Sequence, residues 1–115
     1  MAYELMVQYV RSCIEEQRFV VTDHAQREHT LAEGFTVRQA IEALMNGELV
    51  KEYSGRQDNT DRLLFCGTAN GLKLDTRFCT TYIHVVVEVE EATQIVVVTM
   101  YRPDVNRWKT AWKRK

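Results

Sequence analysis

Two histidines, a threonine and a tyrosine stand at junctions of this 115-residue chain where a strand meets a helix or where two strands run side by side. His24 follows the short β-rich run 19–22 and precedes a helical segment. His84 opens His84-Val85-Val86-Val87, and Thr99 and Tyr101 close the apolar run that begins at Ile95. Histidine is the natural general acid or base at neutral pH. In RNA cleavage without a metal, the 2′-hydroxyl attacks the adjacent phosphate. One group takes its proton, another protonates the leaving oxygen, and a cation stabilises the added negative charge. His24, His29, His84, Glu88, Tyr101 and the arginines are the candidates for such chemistry, His29 reading as an exposed helix residue. Each has a plainer reading: His24 bonding a nearby carbonyl in a first helical turn, His84 half-buried in a strand, Tyr101 packing where tyrosine is favoured.

The cations needed for phosphate lie at the end of the chain. Arg102, Arg107, Lys109, Lys113, Arg114 and Lys115 are opposed within 102–115 by Asp104 alone, whereas the whole chain has 15 basic and 16 acidic residues and a net charge of −1. Non-specific nucleic-acid binding therefore rests on where the charge lies rather than on its total. A basic run attracts phosphate by counterion release, and the indoles of Trp108 and Trp112 offer stacking surfaces. The expected RNA contacts on this run are Arg102, Arg107, Trp108 and Lys109. The plainer alternatives are a solvated, partly frayed tail and a Trp108 that covers the sheet end instead of stacking a base.

Other chemistries find less support. Cys13, Cys66 and Cys79 are odd in number, widely spaced and without a C-x-x-C pair, so they read as ordinary buried thiols of a reducing cytoplasm. His24 and His29 are five apart, which places them on different helix faces and not at a chelating spacing. Asp58, Asp61 and Asp75 read as loop residues. Gly67-Thr68-Ala69-Asn70-Gly71 lacks the lysine of a phosphate loop. No metal or cofactor is expected, and no run reaches membrane-spanning length.

Length allows one domain, residues 1–115. An amphipathic helix is expected over 3–18, with Leu5, Met6, Tyr9, Val10, Cys13 and Ile14 at three- and four-residue steps. A short β run follows over 19–22. Asp23 is expected to cap a second helix reaching about Glu33, which Gly34 stops. Thr36-x-x-Gln39 is a capping-box pattern opening a third helix that ends at Asn46-Gly47. The period then changes to two, with strands over 48–53, 62–67, 81–90 and 94–102. Pro103, the only proline, ends the last. The expected fold is α+β, with N-terminal helices on one face of a mainly antiparallel sheet of about four strands. In the last hairpin, alternation pairs Glu90 with Ile95, Val87 with Val98 and His84 with Tyr101. The helices then cover Val85, Val87, Val89, Val96, Val98 and Met100. His84, Glu88, Thr99 and Tyr101 share the other face.

A set of motifs runs through 19–108: Thr22-x-His24-Ala25, Gly34-Phe35-Thr36, Gly47-Glu48-Leu49-Val50-x-x-Tyr53, Leu64-Phe65-x-Gly67, His84-Val85-Val86-Val87, and Thr99-x-Tyr101-x-Pro103 with Trp108. In order and spacing they resemble a bacterial family of domains of unknown function that is grouped with RelE- and MqsR-like toxins on the barnase/EndoU/colicin/RelE fold. The resemblance implies a RelE-like sheet and a metal-independent endoribonuclease acting on mRNA. It also implies a small antitoxin partner, in many members of zinc-finger type, and functional positions at His24, His84, Thr99, Tyr101 and Trp108. One departure stands out: relatives often carry arginine four residues after the motif histidine, where this chain has Glu28 preceded by Arg27. Arg27, in the helical segment after His24, joins the expected RNA contacts only on this resemblance. The alternative is a non-catalytic module that binds protein or RNA through the same sheet face. The first helix, 3–18, and the basic tail lie outside the resemblance.

Overall fold

The computed structural model describes residues 3–28, 35–53, 61–70, 82–90, 94–103 and 105–113. His29, Asp58, Asp75 and Cys79, the expected reach of the second helix to Glu33 and its stop at Gly34 lie outside these residues. The elements follow the expected order: α1 (Tyr3–Glu15), β1 (Phe19–Val21), α2 (Asp23–Glu28), α3 (Val37–Asn46), β2 (Glu48–Tyr53), β3 (Asp61–Gly67), β4 (Ile83–Glu90) and β5 (Gln94–Tyr101). Among the described residues, no helix is long and apolar enough to cross a membrane.

The first helix stops short of residue 18 because its end is locked by backbone hydrogen bonds. The Arg18 amide donates to Cys13 O (2.7 Å) and the Gln17 amide to Ile14 O (3.1 Å), with Gln17 at φ 59°. This is a Schellman turn with glutamine in the left-handed position that glycine usually fills. The capping box of α3 forms as expected: the Gln39 amide donates to Thr36 Oγ1 (3.1 Å), and the Thr36 amide donates to Gln39 Oε1 (2.9 Å). The cap of α2 differs from expectation. Thr22, not Asp23, accepts the Ala25 amide (3.1 Å), and its hydroxyl also reaches Val98 O at 3.5 Å. Thr22 therefore ends β1, starts α2 and ties both to β5.

Among the described residues the sheet has five strands in the order β1-β5-β4-β3-β2 and is mixed, not the expected antiparallel sheet of about four. β2 to β5 pair antiparallel in sequence order. The short run before His24 is a fifth, β1, paired parallel to β5 through Phe19↔Ile95, Val20↔Val96 and Val21↔Val97. Three residues carry little period-two signal, and a parallel pairing leaves no turn in the sequence to announce it.

The described helices α1, α2 and α3 pack on one face. Met6, Val10 and Cys13 from α1, Ala25 from α2, and Ala40, Ala43 and Leu44 from α3 form one core with Leu63, Phe65, Val85, Val87, Ile95, Val97 and Met100. Each large apolar side chain buried this way contributes roughly 1.5–3 kcal/mol relative to exposure. Two motif glycines set how closely α3 approaches the strands. A Cβ on Gly47 would meet Ala43 O at 2.5 Å, and one on Gly67 would run into the same carbonyl.

The last hairpin keeps the expected register at one end only. His84 faces Tyr101, Val85 faces Met100 and Val86 faces Thr99. A bulge then intervenes, so Val87 pairs with Val97, not Val98, and Glu90 pairs with Gln94, not Ile95. Val98 and Thr99 are both half-buried where strict alternation would bury one of them. The core face of β5 is therefore Ile95, Val97 and Met100, while Val96 and Val98 turn to the other side. The carbonyl of the bulged Val98 is the one that meets the Thr22 hydroxyl.

Candidate functional site

The helix-free face of the sheet carries the residues singled out from the sequence. Period two sends His84, Val86 and Glu88 of β4 to this side, together with Arg62, Leu64 and Cys66 of β3, which pair with them directly. Tyr101 and Thr99 of β5 face His84 and Val86. Arg62 and Glu88 form a cross-strand ion pair at 3.0 Å. The His84 and Tyr101 rings meet edge-on with centroids 5.3 Å apart.

This face is not open along its length. The chain after Pro103 folds back across it. Trp108 packs with Leu64 and Val86 and is only 4% exposed, and its ring meets His84 edge-on at 4.5 Å. The Ala111 carbonyl lies 2.6 Å from His84 Nε2. A carbonyl only accepts, so Nε2 carries the hydrogen and Nδ1 is the bare nitrogen of the neutral ring. Nδ1 is buried and has no hydrogen-bond partner among the described residues. His84 is 0% exposed. Burial holds its pKa below the ordinary 6.5, and the bond to Ala111 offsets part of that effect. The ring is therefore a neutral donor at pH 7, sealed from solvent. Cys66, opposite His84 in the register, is also buried. Burial foremost, and the charge of Glu48 after it, push its thiol up to about 12, so it is no nucleophile. Cys13 is a buried free thiol of the same kind as expected.

The turn 109–113 is closed by its own bonds. The Lys109 amide donates to Lys113 O (2.8 Å), the Thr110 amide to the same carbonyl (3.1 Å), and Thr110 Oγ1 accepts the amides of Trp112 (3.2 Å) and Lys113 (3.0 Å). Arg107, Lys109 and Lys113 are exposed on this segment. The Arg102 guanidinium lies 6.0 Å above the Phe35 ring, at the limit of a cation–π contact.

The structure thus brings His84, Tyr101 and Trp108 into one cluster and places Thr99 beside it. His24 and Arg27 stand exposed on α2, which packs against β5 from the helix-covered side and is not part of this cluster. Sequence reasoning missed Ala111 and Tyr82. Ala111 acts through its backbone, which leaves no side-chain signal. Tyr82 could have been found, since it lies two residues before His84 and so on the same side of the strand. Among the described residues, no three His, Cys, Asp or Glu side chains come together as a metal site.

No curated protein and no solved structure matches the chain. Residues 21–102 match the family model described as a domain of unknown function, DUF4258. That span runs from the last residue of β1 to the residue after β5, and so takes in Thr22, His24, His84, Thr99 and Tyr101 but not α1 or the covering segment. Since the match spans well over half of the sequence, the chain belongs to the DUF4258 family.

Proposed function

We propose that the protein is a metal-independent endoribonuclease of the RelE/MqsR toxin type, acting on mRNA and held in check by a small antitoxin, in many relatives of zinc-finger type. The observation that carries this reading is the His84–Tyr101 pair on the helix-free face, 5.3 Å between rings, beside a segment whose exposed charges are Arg107, Lys109 and Lys113. Burial divides the roles. Of the two described histidines His24 is the exposed one and serves as general base or acid. Tyr101 is half-buried and acts as phosphate ligand or proton donor. His84, neutral and enclosed, positions Tyr101 and does not itself exchange protons with substrate. Thr99 supports the same strand end, and Arg27, Arg102, Arg107 and Lys109 engage phosphates, while Trp108, buried against the sheet instead of open to a base, anchors the covering segment.

The test is cleavage of a structured mRNA by the purified protein with and without EDTA, with the His24→Ala and Tyr101→Phe variants alongside. A group acting in proton transfer contributes typically 10²–10⁴-fold, so each variant should lose at least about 100-fold. Undiminished cleavage in both variants removes these roles. The same result with EDTA-sensitive cleavage points to a metal enzyme instead.

A second reading, a non-catalytic module binding protein or RNA, draws on the complete enclosure of His84 by Trp108 and Ala111. Induction in a bacterial host separates the two. Growth arrest that needs His24 or Tyr101 supports the nuclease. Unimpaired growth, with RNA bound intact, supports the module.

A further inference from the structure

The two tryptophans of the C-terminal segment have opposite fates. Trp108 turns inward against the sheet, whereas Trp112 is 42% exposed. Trp112 is nevertheless held in place: the ring of Tyr82, two residues before His84, meets it edge-on with centroids 4.6 Å apart. The Trp112 amide is fixed to Thr110 Oγ1, and the bond from the Lys109 amide to Lys113 O makes the two lysines neighbours across the turn. An indole held by a second aromatic ring thus belongs to the same turn as two exposed lysines. Among the described residues 105–113 there is no acidic side chain, in a chain whose total charge is −1. An exposed, immobilised aromatic face flanked by cations is the arrangement that takes an unstacked base and its phosphates.

We propose that Trp112, supported by Tyr82 and flanked by Lys109 and Lys113, is a stacking platform for one base of single-stranded RNA. The platform deepens the RNA reading above and rests on it, but it is measured as binding and not as cleavage. Trp112 lies beyond the DUF4258 match, which ends at residue 102. The contact therefore belongs to this chain's own tail and is separate from the His24–Tyr101 chemistry.

The probe is a short 2′-O-methyl oligouridylate, which the proposed reaction leaves uncut because its attacking hydroxyl is blocked. Added to the full chain, it should quench the emission of the exposed Trp112, and Trp112→Phe should abolish the quenching while the buried Trp108 emission persists as proof of folding. Trp112→Ala should weaken binding roughly 5- to 150-fold, the range for loss of one stacked base. The double variant Lys109→Ala/Lys113→Ala should lower the slope of log K against log salt by about 1.4, from about 0.7 for each single-strand phosphate contact. Absence of binding by the wild type, or equal affinity in Trp112→Ala, overturns the platform. Quenching by phosphatidylserine vesicles but not by the oligonucleotide overturns it in favour of a membrane-surface contact. Cleavage of mRNA with oligonucleotide binding indifferent to Trp112 removes the platform and leaves the nuclease. Binding through Trp112 without any cleavage does the reverse.

Discussion

His84 shows how much a single enclosed ring can set. Its Nε2–H satisfies Ala111 O, while Nδ1 faces no partner among the described residues. A proton arriving at Nδ1 would create a buried cation. The folded-state pKa is therefore depressed below 6.5. The unfolded chain consequently binds more protons than the folded one as pH falls below that value, so stability is complete above about 6.5 and declines as pH drops through the folded pKa. Denaturant midpoints measured from neutrality into mild acid should fall. His84→Gln, whose amide can still donate to Ala111 O, should flatten that slope. An equal slope in both proteins would assign the acid sensitivity elsewhere. Part of this neighbourhood was legible in the sequence: alternation, together with an expected four-residue turn at 91–94, set His84 opposite Tyr101, and that pair forms although the turn pairs Glu90 with Gln94 and a bulge shifts the register between. The lid over the pair was not legible. A tryptophan among lysines reads the same whether it faces water or a sheet, and the Ala111 contact is made by backbone.

At the scale of elements, helix ends and strand approaches rest on backbone geometry that side-chain periodicity does not report. Gln17 occupies a left-handed position at φ 59°, which costs an L-residue about 1–2 kcal/mol. Gln17→Gly should therefore raise stability by about 1 kcal/mol, read from chemical denaturation. Gly67→Ala should do the opposite, losing about 3 kcal/mol or failing to fold, since its Cβ collides with the rigid Ala43 carbonyl rather than with a side chain that can move aside. A Gly67→Ala protein as stable as wild type would mean that α3 can lift from the strands. The strand bounds and the α3 capping box could be read from residue types because these signals are local. The bulge at Val98 could not, since Val96 to Val98 are all valine and either face accepts them. The α2 cap fell on Thr22 because Asp23 and Thr22 are both good caps, and only the carbonyl of Val98, far along the chain, decides between them.

Among the described residues, the sheet has two differently covered sides: the helices α1 to α3 on one, and the returning segment 105–113 on the other. Trp108 is the anchor of the second side. Trp108→Ala should cost about 3–5 kcal/mol and return His84 towards its ordinary titration, a shift visible in its imidazole resonances. A His84 resonance unmoved by the substitution would show that the segment stays seated without its indole. The parallel strand carries a different consequence, one for how the protein comes into being. β1 is complete by residue 21, yet its hydrogen-bonding partner begins only at residue 94. During synthesis the edge of β1 stays unpaired until residues 94–101 have left the ribosome. Closure of the sheet at this edge therefore waits on β5, and a ribosome stalled before that strand holds a chain that cannot pair β1.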